Sequence, residues 1–257
     1  MLDSKLNVKF LGTGTSQGVP MIACECKVCN SNDSKDKRLR SSIYIQKNDT
    51  AIVIDTGPDF RQQMLNNNIS DLDAVIYTHE HKDHVAGLDD IRAFNNKYKN
   101  DMNIYCSDRV FTALQREYIY IFDERFCYPG IPKVNRHRID NNSFYIADIE
   151  IIPVEVMHYN LPVMGFRIDD FCYITDANFI SDKEKLKMQN LDVLVINALR
   201  KQKHLSHFNL DESLELIREL KPKKAYLTHI SHQLGFHNDV SKELPENVFL
   251  AYDGLNI

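Results

Sequence analysis

The segment spanning residues 77–88, YTHEHKDHVAGL, concentrates metal-ligating side chains in a short stretch of the chain. His79, His81, Asp83 and His84 fall within six residues and directly follow an apolar run. A looping backbone at a strand end can direct His79 and His81 to one point, and the other two to a second point nearby. Imidazole and carboxylate ligands suit Zn²⁺, Mn²⁺ or Fe. The pattern therefore predicts a metal site rather than a histidine-rich polar loop.

Three further ligand-type residues each end an apolar run downstream. They are His158, Asp176 and His229, at the ends of residues 144–158, 171–176 and 224–229. Each alone would be an ordinary turn residue. If the strand ends meet at one edge of a sheet, the seven side chains are numerous enough to hold two divalent metals, Zn or Mn.

A second cluster contains Cys24, Cys26 and Cys29, three thiols within six residues. They are too close together for three core positions, and three is an odd number for disulfides. Without a visible export signal, they are best interpreted as reduced thiols or metal ligands, with one ligand of a four-coordinate site still to be found. The remaining cysteines lie in apolar surroundings and are predicted to be small buried hydrophobic residues: Cys106, Cys127 and Cys172.

Composition limits the functional classes. The chain has 257 residues, 43% hydrophobic and 26% charged, with a formal net charge of −5. This balance gives no overall basic field, so we do not expect a large nucleic acid as a partner. No signal peptide and no apolar run of about 18 residues is visible in the sequence, so we expect a cytoplasmic protein without a membrane partner.

Short β-branched and aromatic runs recur along the chain, with helical patterns such as residues 58–68 and 211–221 between them. Early strands follow one another closely and later ones alternate with helices, which predicts an α/β sandwich in a single domain, residues 1–257. The aromatic segment 116–137 is predicted to be an inserted hairpin or loop that packs on the core. The alternative is a pocket wall or a dimer contact, which leaves a homodimer open.

The order H-x-H-x-D-H followed by His158, Asp176 and His229 resembles the metallo-β-lactamase superfamily. The resemblance covers almost the whole chain and implies a four-layer αβ/βα sandwich with a dinuclear site at one edge. It implies that one metal is bound by His79, His81 and His158, and the other by Asp83, His84 and His229. Asp176 would bridge the two metals, and Asp83 would also help to orient the attacking hydroxide.

A finer resemblance is to the cyclic phosphodiesterases of carbon–phosphorus lyase pathways. It is based on residues 11–20 (LGTGTSQGVP), the cysteine cluster, and a histidine three residues beyond His229. It implies that Cys24, Cys26, Cys29 and His232 bind one structural zinc. It also implies hydrolysis of a small cyclic or nucleotide-like phosphodiester by a metal-bridging hydroxide. The related tRNA-processing ribonucleases use a long basic arm, and the sequence shows no such insertion.

The proton donor to the leaving group is expected in residues 198–216. We favour His207, with His204 as the alternative and Arg200 as a candidate phosphate clamp. Two other functions remain open. One is a thioester or lactam hydrolase on the same scaffold, and the other is an RNA-processing nuclease or accessory metal-binding protein.

Overall fold

The computed structural model describes residues 6–126 and 128–257, which form two β-sheets and their covering helices. The first sheet contains six strands in sequence order: β1 (Asn7–Gly12), β2 (Ser42–Lys47), β3 (Thr50–Ile54), β4 (Ala74–Ile76), β5 (Met102–Cys106) and β6 (Val134–Arg138). Strands β1 to β3 pair antiparallel, and β3 to β6 pair parallel. The carboxyl ends of β3, β4 and β5 therefore lie at the same edge.

The second sheet has seven strands, in the reverse of their sequence order. They are β7 (Phe144–Ile146), β8 (Ile149–His158), β9 (Leu161–Ile168), β10 (Phe171–Tyr173), β11 (Val193–Asn197), β12 (Lys224–Thr228) and β13 (Val248–Leu250). Strands β7 to β10 form an antiparallel meander, and β10 to β13 pair parallel. The antiparallel-then-parallel order of the first sheet is thus repeated in the second.

Helices cover the outer face of each sheet. The first half of the chain contributes α1 (Phe60–Asn66), α2 (Lys82–Val85), α3 (Arg92–Tyr98), α4 (Asp108–Glu117) and α5 (Ile119–Phe122). The second half contributes α6 (Asp182–Lys185), α7 (Leu210–Leu220) and α8 (His237–Glu243). Short 3-10 helices occupy Ser34–Asp36, Leu88–Ile91, Glu124–Phe126 and Leu186–Met188.

Three apolar layers hold these elements together. Between the sheets, Ile43 and Ile54 share one cluster with Phe166 of the second sheet. A second cluster joins the outer face of the first sheet to its helices, and a third joins the second sheet to α7 and α8. Full burial of each such side chain contributes about 1.5–3 kcal/mol to the free energy of unfolding. Three apolar interfaces need four layers, so the predicted αβ/βα sandwich is confirmed.

Helix α7 shows how the sequence sets the loop before it. Asn209 caps the helix by accepting a hydrogen bond from the Glu212 amide, while the Glu212 carboxylate accepts one from the Asn209 amide. This capping box fixes the first turn. The helix ends at Leu220, where Lys221 adopts a left-handed φ of 51° before Pro222. The predicted helix 211–221 is confirmed to within one residue, and its rigid start anchors the segment that carries His207.

Two predictions about local structure were wrong. Residues 144–158 form two strands, because Ala147 with φ of 51° turns the chain back between β7 and β8. Segment 116–137 is neither a hairpin nor an irregular loop over most of its length. It contains the end of α4, then α5, a 3-10 helix and the edge strand β6. Tyr118 is buried and its hydroxyl donates to the Val85 carbonyl at 2.9 Å, which packs this segment against α2.

Cys106 and Cys172 are buried, as predicted, and Cys127 lies outside the described residues. Among residues 6–126 and 128–257, no helix has the length and apolar character required to cross a membrane.

Candidate metal centre

The predicted His/Asp ligands come together where strands of the two sheets end. His79 and His81 follow β4, and Asp83 and His84 lie in α2 immediately after them. From the second sheet, the remaining three residues end or follow strands β8, β10 and β12: His158, Asp176 and His229. Because carboxyl ends of neighbouring parallel strands meet at one edge, residues far apart in sequence reach one place.

Three acidic or imidazole residues in this region adopt a backbone conformation that L-residues rarely use. Asp55, Asp176 and His229 have φ of 66°, 55° and 53°, each just past the end of a strand. The left-handed region costs a non-glycine residue about 1–2 kcal/mol. Such strain clusters at functional sites, because the surrounding structure holds the side chains in a fixed direction.

Hydrogen bonds fix the tautomers of His84 and His79. The His84 Nδ1 lies 2.7 Å from Asp55 Oδ2, and a carboxylate can only accept, so Nδ1 carries the proton. Thr78 donates its hydroxyl to the same Asp55 oxygen at 2.8 Å. Thr78 Oγ1 must therefore accept from His79 Nδ1, 2.9 Å away. In both rings Nε2 is therefore the nitrogen that faces a metal position, and in His84 it binds a metal once any proton on it is released.

The same reasoning applies on the second sheet. Ser41 donates its hydroxyl to the Gly14 carbonyl, so its oxygen accepts from His229 Nδ1 at 3.1 Å. The Ser206 carbonyl accepts from His158 Nδ1 at 2.8 Å. Four imidazoles from two sheets thus all carry a proton on Nδ1, which leaves Nε2 as the nitrogen that can bind a metal.

Bound metals would satisfy the Nε2 atoms of these histidines better than the protein's own side chains do. Within the described residues, Nε2 of His79, His84 and His229 is buried and has no hydrogen-bond partner. His84 Nε2 lies 3.1 Å from carboxylate oxygens of both Asp83 and Asp176, without the geometry of a hydrogen bond. Leaving buried polar atoms unsatisfied costs about 1–3 kcal/mol each. A cation between these donors removes that cost, so the residues fit divalent metals.

Ligand atoms of Asp83, His84, Asp176 and His229 all lie within 4.8 Å of one another. This is the set expected for one metal, together with the expected bridging carboxylate. His229 Nε2 is 3.3 Å from Asp176 Oδ1. Although burial favours the protonated carboxyl, the neighbouring histidines lower the pKa of Asp83 and of Asp176. Both carboxyls are therefore ionised and can bind a cation.

The rings of the other expected set, His79, His81 and His158, lie near one another, but their ligand atoms do not form a group within 4.8 Å among the described residues. Ring centroids of His79 and His81 are 4.6 Å apart, and those of His81 and His158 are 5.2 Å apart. Burial lowers the pKa of His79 well below its usual range and lowers that of His81. Neutral imidazoles are the form that binds metals. His84 differs: burial opposes its protonation, but Asp83, Asp176 and Asp55 raise its pKa above the usual range.

His207 lies over the His/Asp ligands, at a distance that the sequence alone could not predict. It is buried, its Nδ1 lies 3.8 Å from Asp176 Oδ1, and its ring is stacked on His229 with centroids 4.9 Å apart. Ligand atoms of His207, His158 and Asp176 also form a group within 4.8 Å. Burial is the main cause that lowers the pKa of His207, to about 3. His204 stacks behind it at 5.2 Å and is less buried.

Arg200 makes different contacts from those of a phosphate clamp. Its guanidinium donates to the Gln233 side chain at 2.8 Å and to the Lys203 carbonyl at 3.0 Å. These bonds close the loop that carries His204 and His207 and join it to the segment that carries His232. Arg200 is better interpreted as a residue that positions this loop.

The cysteine cluster has the fourth member that the resemblance implied. Sγ atoms of Cys24 and Cys26 lie 3.4 Å and 3.2 Å from His232 Nδ1. These atoms and Cys29 Sγ are mutually within 4.8 Å. A tetrahedral zinc with bonds of about 2.3 Å places its ligand atoms roughly 4 Å apart, so the cluster fits one such ion. The hydrogen bond from His232 is the main cause that lowers the pKa of Cys26 to about 6.

The sequence did not predict the residues that orient the metal-ligating histidines through hydrogen bonds. Asp55 is fully buried and accepts bonds from the Thr78 amide, the Thr78 hydroxyl and His84. The sequence carried one signal for it, an acidic residue ending the apolar run 51–54 and followed by Thr-Gly. Ser41, Thr78 and Ser206 gave no such signal, because a hydroxyl or a carbonyl near a strand end is common.

Comparisons with known proteins agree with this arrangement. Residues 50–230 match the family model described as "Beta-lactamase superfamily domain". The crystal structure of a new diphosphatase from the PhnP family is similar, with a TM-score of 0.92 and 36% identity over 98% of this chain and 97% of that one. An octanoyltransferase of Porphyromonas gingivalis is 36% identical over 249 residues, 96% of this chain. The chain spans only 50% of that relative's length.

A more distant relative is the exodeoxyribonuclease WalJ of Streptococcus pneumoniae. It is 26% identical over 224 residues, covering 75% of this chain and 78% of the relative. Since the family model covers well over half of the chain, and a related structure matches nearly all of it, the chain belongs to the β-lactamase superfamily and has the metallo-β-lactamase fold.

Proposed function

We propose that this protein is a metal-dependent phosphodiesterase that hydrolyses small cyclic or nucleotide-like phosphodiesters. The observation that carries the proposal is the shared tautomer of four histidines, all with Nε2 free beside two ionised carboxylates. We infer that His79, His81 and His158 hold one divalent metal, and that Asp83, His84 and His229 hold a second, with Asp176 between them. Zn²⁺ and Mn²⁺ both suit these ligands.

When bound, divalent cations supply Lewis-acid stabilisation of charge on phosphoryl oxygens and lower the pKa of water. The chain's own residues supply orientation and proton transfer. The Asp83 carboxylate accepts a hydrogen bond from the attacking water and fixes its direction. The water releases one proton to solvent as its oxygen bonds to phosphorus, the bond from phosphorus to the leaving oxygen breaks, and that oxygen needs a proton.

His207 is the residue placed to give that proton, with His204 as the alternative. His207 faces Asp176 at 3.8 Å and lies against His158 and His229. Its pKa of about 3 in the free protein keeps the imidazole neutral at pH 7. An anionic phosphate bound beside it raises this pKa, because a nearby negative charge favours the protonated ring.

The names of two relatives favour cleavage of phosphorus–oxygen bonds as the reaction. The PhnP-family neighbour is called a diphosphatase, and WalJ is called an exodeoxyribonuclease. We favour a small substrate, since the chain has a net charge of −5 and its sequence has no long basic arm to grip a polymer. If the protein binds or cleaves only polymers, it is instead a nuclease or an accessory metal-binding protein.

A second candidate function is thioester hydrolysis. It is favoured by the 36% identity to a protein called octanoyltransferase, although the chain spans only half of that relative. Acyl transfer and thioester hydrolysis both begin with attack on a thioester carbonyl.

One experiment separates these functions. The metal-loaded protein is assayed with bis-p-nitrophenyl phosphate, a 2′,3′-cyclic nucleotide and an octanoyl thioester, with His207→Gln as the matched variant. We expect turnover of the two phosphodiesters, and a larger loss in His207→Gln for the cyclic nucleotide, whose leaving alkoxide needs the proton more than nitrophenolate does. Activity on the thioester alone would contradict the proposal.

A further inference from the structure

An open cavity of about 460 Å³ adjoins the metal centre. Two of its walls are the expected ligands His81 and His158. The other walls come from the turn between β8 and β9 and from the loop before His207: Tyr159, Asn160, Leu161, Leu205 and Ser206. One end of the cavity is therefore polar and metal-ligating, and the other presents aromatic and aliphatic surface.

The apolar end is unusually exposed for such side chains. Leu205 is 68% exposed and Tyr159 is 52% exposed, and Phe179 beside them is 56% exposed. Exposed apolar residues scattered singly are normal, but a group at the mouth of a polar site marks a binding surface.

The backbone at Tyr159 gives a second, independent indication. Tyr159 is the first residue of the two-residue turn that joins β8 to β9, and its φ is 56°. Glycine or asparagine is favoured where such a turn needs positive φ, because a bulky side chain strains the left-handed conformation. A half-exposed aromatic ring at such a position, at the mouth of the cavity, indicates that the ring itself is used.

The two walls are also held at a fixed separation. The Asn178 carboxamide accepts from the Tyr159 amide at 2.7 Å and donates to the Leu205 carbonyl at 3.1 Å. His158 donates to the carbonyl of Ser206, the residue next to Leu205. The exposed rim is thus tied both to a metal-ligating histidine and to the loop of Asp176.

We propose that Tyr159 and Leu205 form a subsite for a planar aromatic group of the substrate, of the kind a nucleobase provides. The ring stacks on Tyr159 and packs on Leu205, while the phosphodiester lies at His81 and His158. The inference rests on the proposed phosphodiesterase function and narrows its substrate to base-bearing esters. Stacking on an aromatic side chain tolerates every base, so the subsite selects for a base but not among bases.

The test compares two cyclic phosphates that differ in the base, adenosine 2′,3′-cyclic monophosphate and methyl β-D-ribofuranoside 2,3-cyclic phosphate. For the wild type we expect the ratio of their kcat/KM values to favour the adenosine ester. Tyr159→Asn should reduce that ratio about tenfold, the size of one lost base–aromatic contact. Asparagine tolerates the left-handed backbone, so this variant should unfold at the same temperature as the wild type or higher. Tyr159→Phe should keep the ratio.

Tyr145→Asn is the matched control, because Tyr145 is 60% exposed on β7 and pairs with Glu150 at the far end of β8 from His158. An unchanged ratio in Tyr159→Asn overturns the subsite. If Tyr159→Asn loses activity only toward an octanoyl thioester, the site binds an acyl chain rather than a base, and the inference is wrong.

If the wild type cleaves neither cyclic phosphate, the proposed function fails, and a binding measurement then decides the subsite separately. Saturation-transfer NMR with adenosine 5′-monophosphate should show transfer to the base protons in the wild type and a loss of that transfer in Tyr159→Asn. Equal transfer in the two proteins contradicts the inference, whatever the activity.

Discussion

The His/Asp centre and the Cys₃His cluster differ in where their ligands lie and in how deeply the ligands are buried. Ligands of the first lie at strand ends of both sheets and are mostly buried, and three of their Nε2 atoms have no partner within the described chain. Ligands of the second lie on two loops, and three of the four are partly exposed: Cys24, Cys26 and His232. Thiols and imidazole in the second cluster already contact one another.

The difference indicates what each site is for. Residues outside the His/Asp ligands orient them: Asp55, Ser41, Thr78 and the Ser206 carbonyl each fix a ring. A cavity also reaches His81 and His158 from solvent. Cys₃His sites supply all four ligands of a tetrahedral zinc and leave no position for substrate. We therefore expect the first site to perform chemistry and the second to hold the N-terminal loop against residues 229–232.

The strongest test of this comparison is Asp176→Ala. Asp176 contacts His84, His229 and His207, so its loss disturbs every part of the His/Asp centre. We expect kcat to fall by more than about 100-fold, beyond the effect of losing an outer partner of a ligand. Content of the two active-site metals, measured by elemental analysis, should fall too. Asp192→Ala, a surface carboxylate paired with Lys223, serves as the control and should keep both.

Cys26→Ser tests the structural half of the comparison. We expect it to remove about one equivalent of zinc and to lower the free energy of unfolding by about 3 kcal/mol, roughly 6–12 °C in Tm for a domain of this size. Protein that stays folded should keep the metals expected at the His/Asp centre and the proposed phosphodiesterase activity. Loss of both active-site metals with the fold retained would show that the assignment of the two sites is wrong.

Asp55→Asn tests whether orientation by outer residues matters at the His/Asp centre. The amide keeps the size of Asp55 but can no longer accept from both Thr78 and His84 with a full charge. Activity should fall about 10–100-fold, and the melting temperature should fall as well, because the new amide NH2 group faces buried donors that Asp55 now accepts from. A spectrum of the cobalt-substituted protein should also change, since the His84 ring is reoriented. Thr56→Ser, at the adjacent buried position, is the comparison variant.

The smallest effect is expected where the two sites meet. Arg200 and Gln233 join the His207 loop to the His232 segment, and the Ser231 amide donates to the Leu199 carbonyl at 3.0 Å. Arg200→Met and Gln233→Leu should each lower kcat about twofold to fivefold for a cyclic nucleotide, and less for bis-p-nitrophenyl phosphate. The double variant should show no further loss beyond that of Arg200→Met, because the Arg200–Gln233 hydrogen bond is already absent in that variant. Lys203→Met, on the same loop, is the control. Additive losses would contradict this link.

The sequence by itself determined the chemical types and their order along the chain. H-x-H-x-D-H directly after an apolar run, and three thiols within six residues, are dense enough to predict two metal sites before any fold is known. Apolar runs of strand length likewise predicted most strands of both sheets. Local patterns carry this information because ligand spacing and strand periodicity are local properties.

Only the tertiary structure decided which distant residues meet and how their rings are held. Asp55 became a partner of His84, and Ser41 of His229, because parallel strands bring their ends to one edge. Segment 116–137 packs on the core through Tyr118 and Tyr120, as predicted, but it does so as short helices and an edge strand rather than as a hairpin or loop. The role proposed for the exposed ring of Tyr159 depends on its left-handed turn and on its position beside His158. Those are long-range contacts, and no window of sequence contains both partners.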